Sequence, residues 1–153
     1  MTELRFYHHK RQSTDQALPG LLMKALKNGH RIVVKLDTAD EVNRMNTHLW
    51  TYRPDSFLPH GAGEDGHAAY HPIWLTDSDD NPNNSDVLIV TGTAQLPQDF
   101  ARNHAMCCLM FDERNENAIQ RARDTWKAYK DSDYLSLTYW QQGENGWVQK
   151  QAA

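Results

Sequence analysis

A chain of 153 residues, 39% apolar and 24% charged, is long enough for one domain with a buried core, and its composition is that of a globular protein. A formal net charge of -4 excludes a general nucleic-acid coat, which carries a strong positive excess, but leaves room for a local basic patch. No apolar run approaches the roughly 18 to 20 residues of a bilayer span, and Met1-Thr2-Glu3-Leu4-Arg5 lacks the charged-then-apolar form of a signal peptide, so the expected compartment is the cytoplasm with no membrane contact.

Leu4-Arg5-Phe6-Tyr7-His8-His9 reads as a first strand. Residues 16–28 carry Leu18, Leu21, Leu22, Ala25 and Leu26 at helical spacing, with Asp15 as the expected N-cap and Asn28-Gly29 as the stop. A β-branched strand at 31–36 leads into a helix opened by Asp37-Thr38 and running to about Trp50. This β-α-β-α order predicts a parallel sheet with helices on its faces. Residues 51–69, with two prolines and three glycines, read as a long loop, and 72–76 as a short strand. An acidic turn at 77–86 precedes Val87-Leu88-Ile89-Val90, the most apolar strand, whose pattern suits a central place buried on both faces. Another strand is expected at 105–111, a helix at 113–131 and a closing strand at 134–140, with 141–153 a frayed tail. Cys107 and Cys108 fall next to each other on a strand, so their side chains point to opposite faces and they read as reduced core residues. No repeat or internal boundary divides the chain, and 1–153 is expected to form one domain with its core at about 4–140.

Several motifs tempt a chemical reading. Gly61-Ala62-Gly63-Glu64-Asp65-Gly66 matches the dinucleotide fingerprint, but it leads towards a strand and carries two acids that would repel phosphate. There is no Gly-x-x-x-x-Gly-Lys-Ser/Thr sequence, so the phosphate cradle of nucleotide hydrolysis is missing. His60, His67 and His71 with Glu64 and Asp65 suggest a metal, yet Pro72 and the glycines argue against a helical His-x-x-x-His pair, and a histidine-rich surface loop is expected instead. Asp77, Asp79 and Asn81 resemble the start of a calcium loop, but Pro82 and Leu88 stand where glycine and glutamate are required. Ser85, Asp86 and His104 lack a nucleophile elbow. No catalytic residue, metal or cofactor is therefore expected.

The late helix carries the strongest signal. At 100° per residue Ala118, Ile119, Ala122, Trp126 and Tyr129 share about a third of the circumference, and Arg123, Lys127 and Lys130 line up beside them. Ile119 and Ala122 are expected to hold the helix to the sheet. Arg123, Trp126 and Lys127 form a cationic, aromatic seam in an acidic protein, suited to an acidic peptide ending in a hydrophobic residue.

Leu49-Trp50-Thr51-Tyr52-Arg53-Pro54-Asp55-Ser56-Phe57-Leu58-Pro59-His60, followed by Arg123-Asp124-Thr125-Trp126-Lys127-Ala128-Tyr129-Lys130, resembles the chi subunit family of bacterial DNA polymerase III, and the likeness runs from Phe6-Tyr7 to about Trp140. The resemblance implies an α/β chain with a three-layer α/β/α Rossmann-like fold, a mainly parallel sheet and P-loop-like topology without a P-loop. It implies a non-catalytic member of the clamp-loader assembly that joins the psi subunit to the acidic C-terminal tail of single-stranded DNA-binding protein, and meets DNA only indirectly. Carried onto this sequence, Arg123 and Lys127 pair with tail carboxylates, Trp126 walls the apolar pocket where the family often has tyrosine, and Lys130 adds a weaker attraction. Trp50 and Phe57 mark the surface for psi or a helicase partner. The competing readings are a degenerate nucleotide-binding domain at 61–66 and direct binding of single-stranded DNA.

Overall fold

The computed structural model describes residues 2–52 and 58–153. Strand β1 (Thr2–His9) leads to helix α1 (Thr14–Lys27), then β2 (Ile32–Lys35) and α2 (Ala39–Thr51). After the undescribed segment come β3 (His60–Ala62), two 3-10 turns at Gly63–Asp65 and Ala68–Tyr70, β4 (Ile73–Thr76) and β5 (Val87–Thr91). A short helix α3 (Phe100–Asn103), β6 (Met106–Asp112), α4 (Glu116–Tyr129), β7 (Leu135–Gly143) and β8 (Gly146–Ala152) complete the chain. The strands form one sheet in the order β3-β4-β2-β5-β6-β1-β7-β8, parallel throughout except for the antiparallel β7–β8 pair.

Period-two alternation divides the core between two faces of this sheet. On one face Tyr7, Ile32, Val34, Ile89, Cys108 and Met110 meet Leu18 and Leu22 of α1 and Met45 and Leu49 of α2. On the other Leu4, Phe6, Leu88, Val90, Cys107, Leu109 and Phe111 meet Phe100 of α3 and Ala118 and Ala122 of α4. The result is a three-layer α/β/α arrangement. Each fully buried Leu or Ile contributes about 2 kcal/mol of apolar burial. The adjacent cysteines are buried, free and on opposite faces. No helix among the described residues is long and apolar enough to cross a membrane.

Local chemistry explains where the helices begin and how they dock. Ser13, not Asp15, caps α1: its hydroxyl accepts from the Gln16 amide while the Gln16 side chain accepts from the Ser13 amide, a reciprocal capping box. Asp15 lies two residues further on, in the first turn, and binds Arg44 of α2. Pro19, inside α1, cannot donate to the Asp15 carbonyl four residues back, and His48 Nε2 of α2 donates to that carbonyl at 2.7 Å instead.

Two further expectations need correction. The segment read as loop contains β3 and two 3-10 turns, and His60 is buried there rather than on a histidine-rich surface, with its Nδ1 donating to the Leu58 carbonyl at 2.7 Å. Residues 141–153, expected to fray, form the end of β7 and all of β8. The hairpin is fastened by Trp147, whose ring lies 4.9 Å from Tyr7 and 5.2 Å from His9. Gln142 fastens it again, its Oε1 accepting from the amides of Lys10, Arg11 and Gln12 at 3.0–3.1 Å.

Candidate functional site: a cationic aromatic cavity

Helix α4 starts at Glu116, later than expected, because Asp112 and Arg114 close a turn after β6 and Asn115 caps the helix by accepting from the Ala118 amide at 3.1 Å. Its buried residues are Ala118, Arg121 and Ala122. Ala122 holds the helix to the sheet as expected, whereas Ile119 is only half-buried and lies at the edge of a cavity.

That cavity, about 360 Å³, opens between α4 and the sheet. Trp126 forms one wall, its ring 5.2 Å edge-on from Phe6 and 6.4 Å from Tyr139. Phe111 lines it too, with His8 stacked on that ring at 4.9 Å. Arg123 and Lys127, both exposed, complete its α4 side. Among the described residues neither cation has a carboxylate partner within salt-bridge distance, although Asp124 is adjacent in sequence and accepts from Gln120. Lys130 is exposed one turn further on, outside the cavity lining. The structure thus brings Arg123, Trp126 and Lys127 together and leaves Lys130 outside the cavity lining.

His8 was not singled out by the sequence pattern. Its Nδ1 shares a hydrogen bond with the Tyr139 hydroxyl at 2.6 Å, while its Nε2 lies 3.8 Å from Glu113 Oε1, too far for a hydrogen bond. Burial lowers its pKa, and Glu113 opposes that shift while Lys10 and Arg123 reinforce it. The imidazole is therefore neutral at pH 7, and Arg123 and Lys127 supply the positive charge.

On the other flank of α4, Arg121 escaped the wheel reading because an arginine in phase with Ala118 and Ala122 looks like a flank residue. It is 6% exposed and donates from its two terminal nitrogens to the carbonyls of Ala94 and Gly92 at 2.6 Å, with Nε unpartnered. Burial pushes its pKa down to about 10, with Asp37 opposing, so it remains charged. Asp37 in turn accepts from the Thr93 and Ala94 amides at 3.0 and 2.9 Å. Gly92, at φ 62°, is required there because a Cβ would lie 2.6 Å from that carboxylate. Arg121 thus ties α4 to the loop after β5.

The family described as DNA polymerase III chi subunit, HolC, matches residues 1–136. The chain belongs to the DNA polymerase III chi subunit family. Among curated relatives, the probable DNA polymerase III subunit chi of Rickettsia prowazekii (strain Madrid E) is 30% identical over 102 residues, 67% of this chain. The chain spans 59% of that relative's length. The family match contains the whole of α4 and ends at the second residue of β7, so most of the β7–β8 hairpin lies past it.

Within this chi-family chain the second expected surface lies elsewhere. Trp50, on α2, is 48% exposed, and its ring stands 4.4 Å from that of His60. Helix α2 packs on the face of the sheet opposite α4, so Trp50 and the Arg123 seam are on different sides of the molecule. Phe57 and the rest of 53–57 lie outside the described residues. The glycine-rich run follows β3 into a 3-10 turn, with no α-helix N-terminus to receive a phosphate. Among the described residues no three metal-binding side chains gather. The Ser85 hydroxyl donates to Asn83 Oδ1 at 2.6 Å and His104 Nδ1 to the Phe100 carbonyl at 3.1 Å, so the two do not form a nucleophile–base pair.

Proposed function

We propose that this chain is a non-catalytic replisome subunit that links the DNA polymerase III clamp-loader assembly, through psi, to the acidic C-terminal tail of single-stranded DNA-binding protein. The observation that carries this reading is the pair of cations, Arg123 and Lys127, which have no carboxylate partner among the described residues, beside an aromatic-walled cavity in a protein of net charge -4. A hydrophobic terminal residue enters the cavity that Trp126, Phe6 and Phe111 line, while the tail's carboxylates, including the terminal one, pair with the guanidinium and ammonium. Lys130 strengthens the field without touching the end of the tail. Trp50, with Phe57 nearby in sequence, serves psi or a helicase partner on the opposite face, so both partners can be held at once. DNA is met only indirectly, the compartment is the cytoplasm, and neither nucleotide nor metal takes part.

Calorimetry with a synthetic tail peptide tests the assignment. The wild type binds with a micromolar Kd that weakens as salt rises, and Arg123→Ala and Lys127→Ala each weaken it about tenfold. Equal affinity in all three proteins sinks the site. A thermal-shift screen with ATP and NAD is expected to give no stabilisation, and a large shift favours the nucleotide-binding reading instead.

A further inference from the structure

We propose that the C-terminal hairpin is the third wall of this cavity and that Gln141 of β7 and Gln151 of β8 contact the main chain of the bound peptide. The proposal rests on the reading of the cavity as an acidic-peptide site and goes beyond it, because β8 lies past the segment that the family matches.

The register of the hairpin supplies the geometry. Gln142 pairs with Trp147, Gln141 with Val148 and Trp140 with Gln149, but Tyr139 pairs with Gln151, so Lys150 is an extra residue in β8. This β-bulge changes which way the strand's last residues face. Without it Gln151 would share a face with Trp147 and Gln149, on the α1 side, where Trp147 packs against Tyr7 and His9. With it Gln151 stands beside Tyr139 and lines the cavity opposite Arg123 and Lys127. Gln141 lines the same wall, two residues along from Tyr139, and its Nε2 lies 3.5 Å from the Tyr139 hydroxyl, a contact weak enough to yield to a ligand.

The wall is held in place before any ligand arrives. Trp147 anchors β8 to β1, and Gln142 holds the loop that follows β1 through three backbone amides. An amide side chain both donates and accepts, which suits it to the alternating N–H and C=O groups of an extended peptide. The division of labour is then chemical: two cations read the carboxylates, an aromatic cavity takes the terminal side chain, and two neutral amides hold the main chain between them. Being neutral, the amide contribution is not screened by salt.

The test is calorimetry with an acidic peptide ending in phenylalanine with a free α-carboxylate, using the full chain. Gln151→Glu places a carboxylate in the cavity wall and is expected to weaken binding about tenfold. Gln149→Glu makes the same change in net charge on the same strand but on the other face, and is expected to stay within about twofold of wild type. Gln151→Ala is expected to weaken binding by a similar factor at low and high salt, unlike Lys127→Ala, whose effect shrinks as salt rises. Equal affinities for Gln151→Glu and Gln149→Glu, with Arg123→Ala still weakened, overturn the hairpin's role while the peptide site stands. Absence of any binding by the wild type overturns the peptide reading and this proposal with it.

Discussion

Acid should unfold this protein partly through His9. The residue is 1% exposed at the end of β1, both ring nitrogens lack partners, and its ring meets Trp147 at 5.2 Å. Burial pushes its pKa from the ordinary 6.5 down to about 4, against a smaller opposing pull from Asp112. A histidine held neutral by the fold takes its proton more readily when unfolded, so stability is complete above about pH 6.5 and is lost as pH falls towards 4. The gap between 6.5 and about 4, at about 1.4 kcal/mol per pH unit, makes this loss about 3 kcal/mol. His8 and His104 are shifted in the same direction by burial and add to it. Asp86 and Asp112, whose pKa values are lowered, lose their stabilising effect only below the ordinary 3.8 of a carboxylate, outside this window. Replacing His9 with phenylalanine keeps the ring contact on Trp147 and removes the proton site. Urea unfolding followed by tryptophan fluorescence at about pH 7 and about pH 4 should then show His9→Phe losing about 3 kcal/mol less than wild type across the interval. The same loss in both proteins refutes the account of a histidine kept neutral by burial.

Arg121→Ala should cost about 3 kcal/mol in urea unfolding, because it leaves the buried carbonyls of Gly92 and Ala94 unpaired; a cost below 1 kcal/mol contradicts its tying role. Trp126→Ala should cost about 2 kcal/mol through loss of the contacts with Phe6 and Tyr139 and also abolish tail binding. Lys127→Ala, which is exposed, should change stability by less than about 0.5 kcal/mol, so its binding defect can be read without a folding correction. Cys107 and Cys108, whose thiol pKa values burial raises (that of Cys108 to about 12), should resist a thiol reagent in the native protein and react on unfolding; fast native labelling contradicts their burial.

The parallel core was legible because fully buried strands such as 87–90 are uninterrupted apolar runs, and the split of Cys107 and Cys108 follows from strand alternation alone. The cap of α1 was misplaced by two residues because Ser13 and Asp15 are both good cap types, and only the return bond from Gln16 decides between them. The β7–β8 hairpin was hidden because its exposed polar residues carry no apolar period; its order comes from Trp147 and Gln142 reaching back to β1 and the following loop. In the candidate site, helical periodicity was enough to bring Arg123, Trp126 and Lys127 together. It said nothing of the other walls, since His8, Tyr139, Gln141 and Gln151 arrive from three strands distant in sequence. Arg121 illustrates the converse limit: its burial depends on carbonyls nearly thirty residues away.

The central claim is that the tail binds between α4 and the hairpin, and the five tryptophans report on it separately. Trp126 lies in the cavity, Trp50 is on α2 across the sheet, Trp74 is in the opposite half of the sheet, and Trp140 and Trp147 pack on the α1 face. An NMR titration of the indole N–H signals with the acidic tail peptide should therefore move Trp126 most, with Trp50 and Trp74 unchanged. A titration that shifts Trp50 and leaves Trp126 in place contradicts the account.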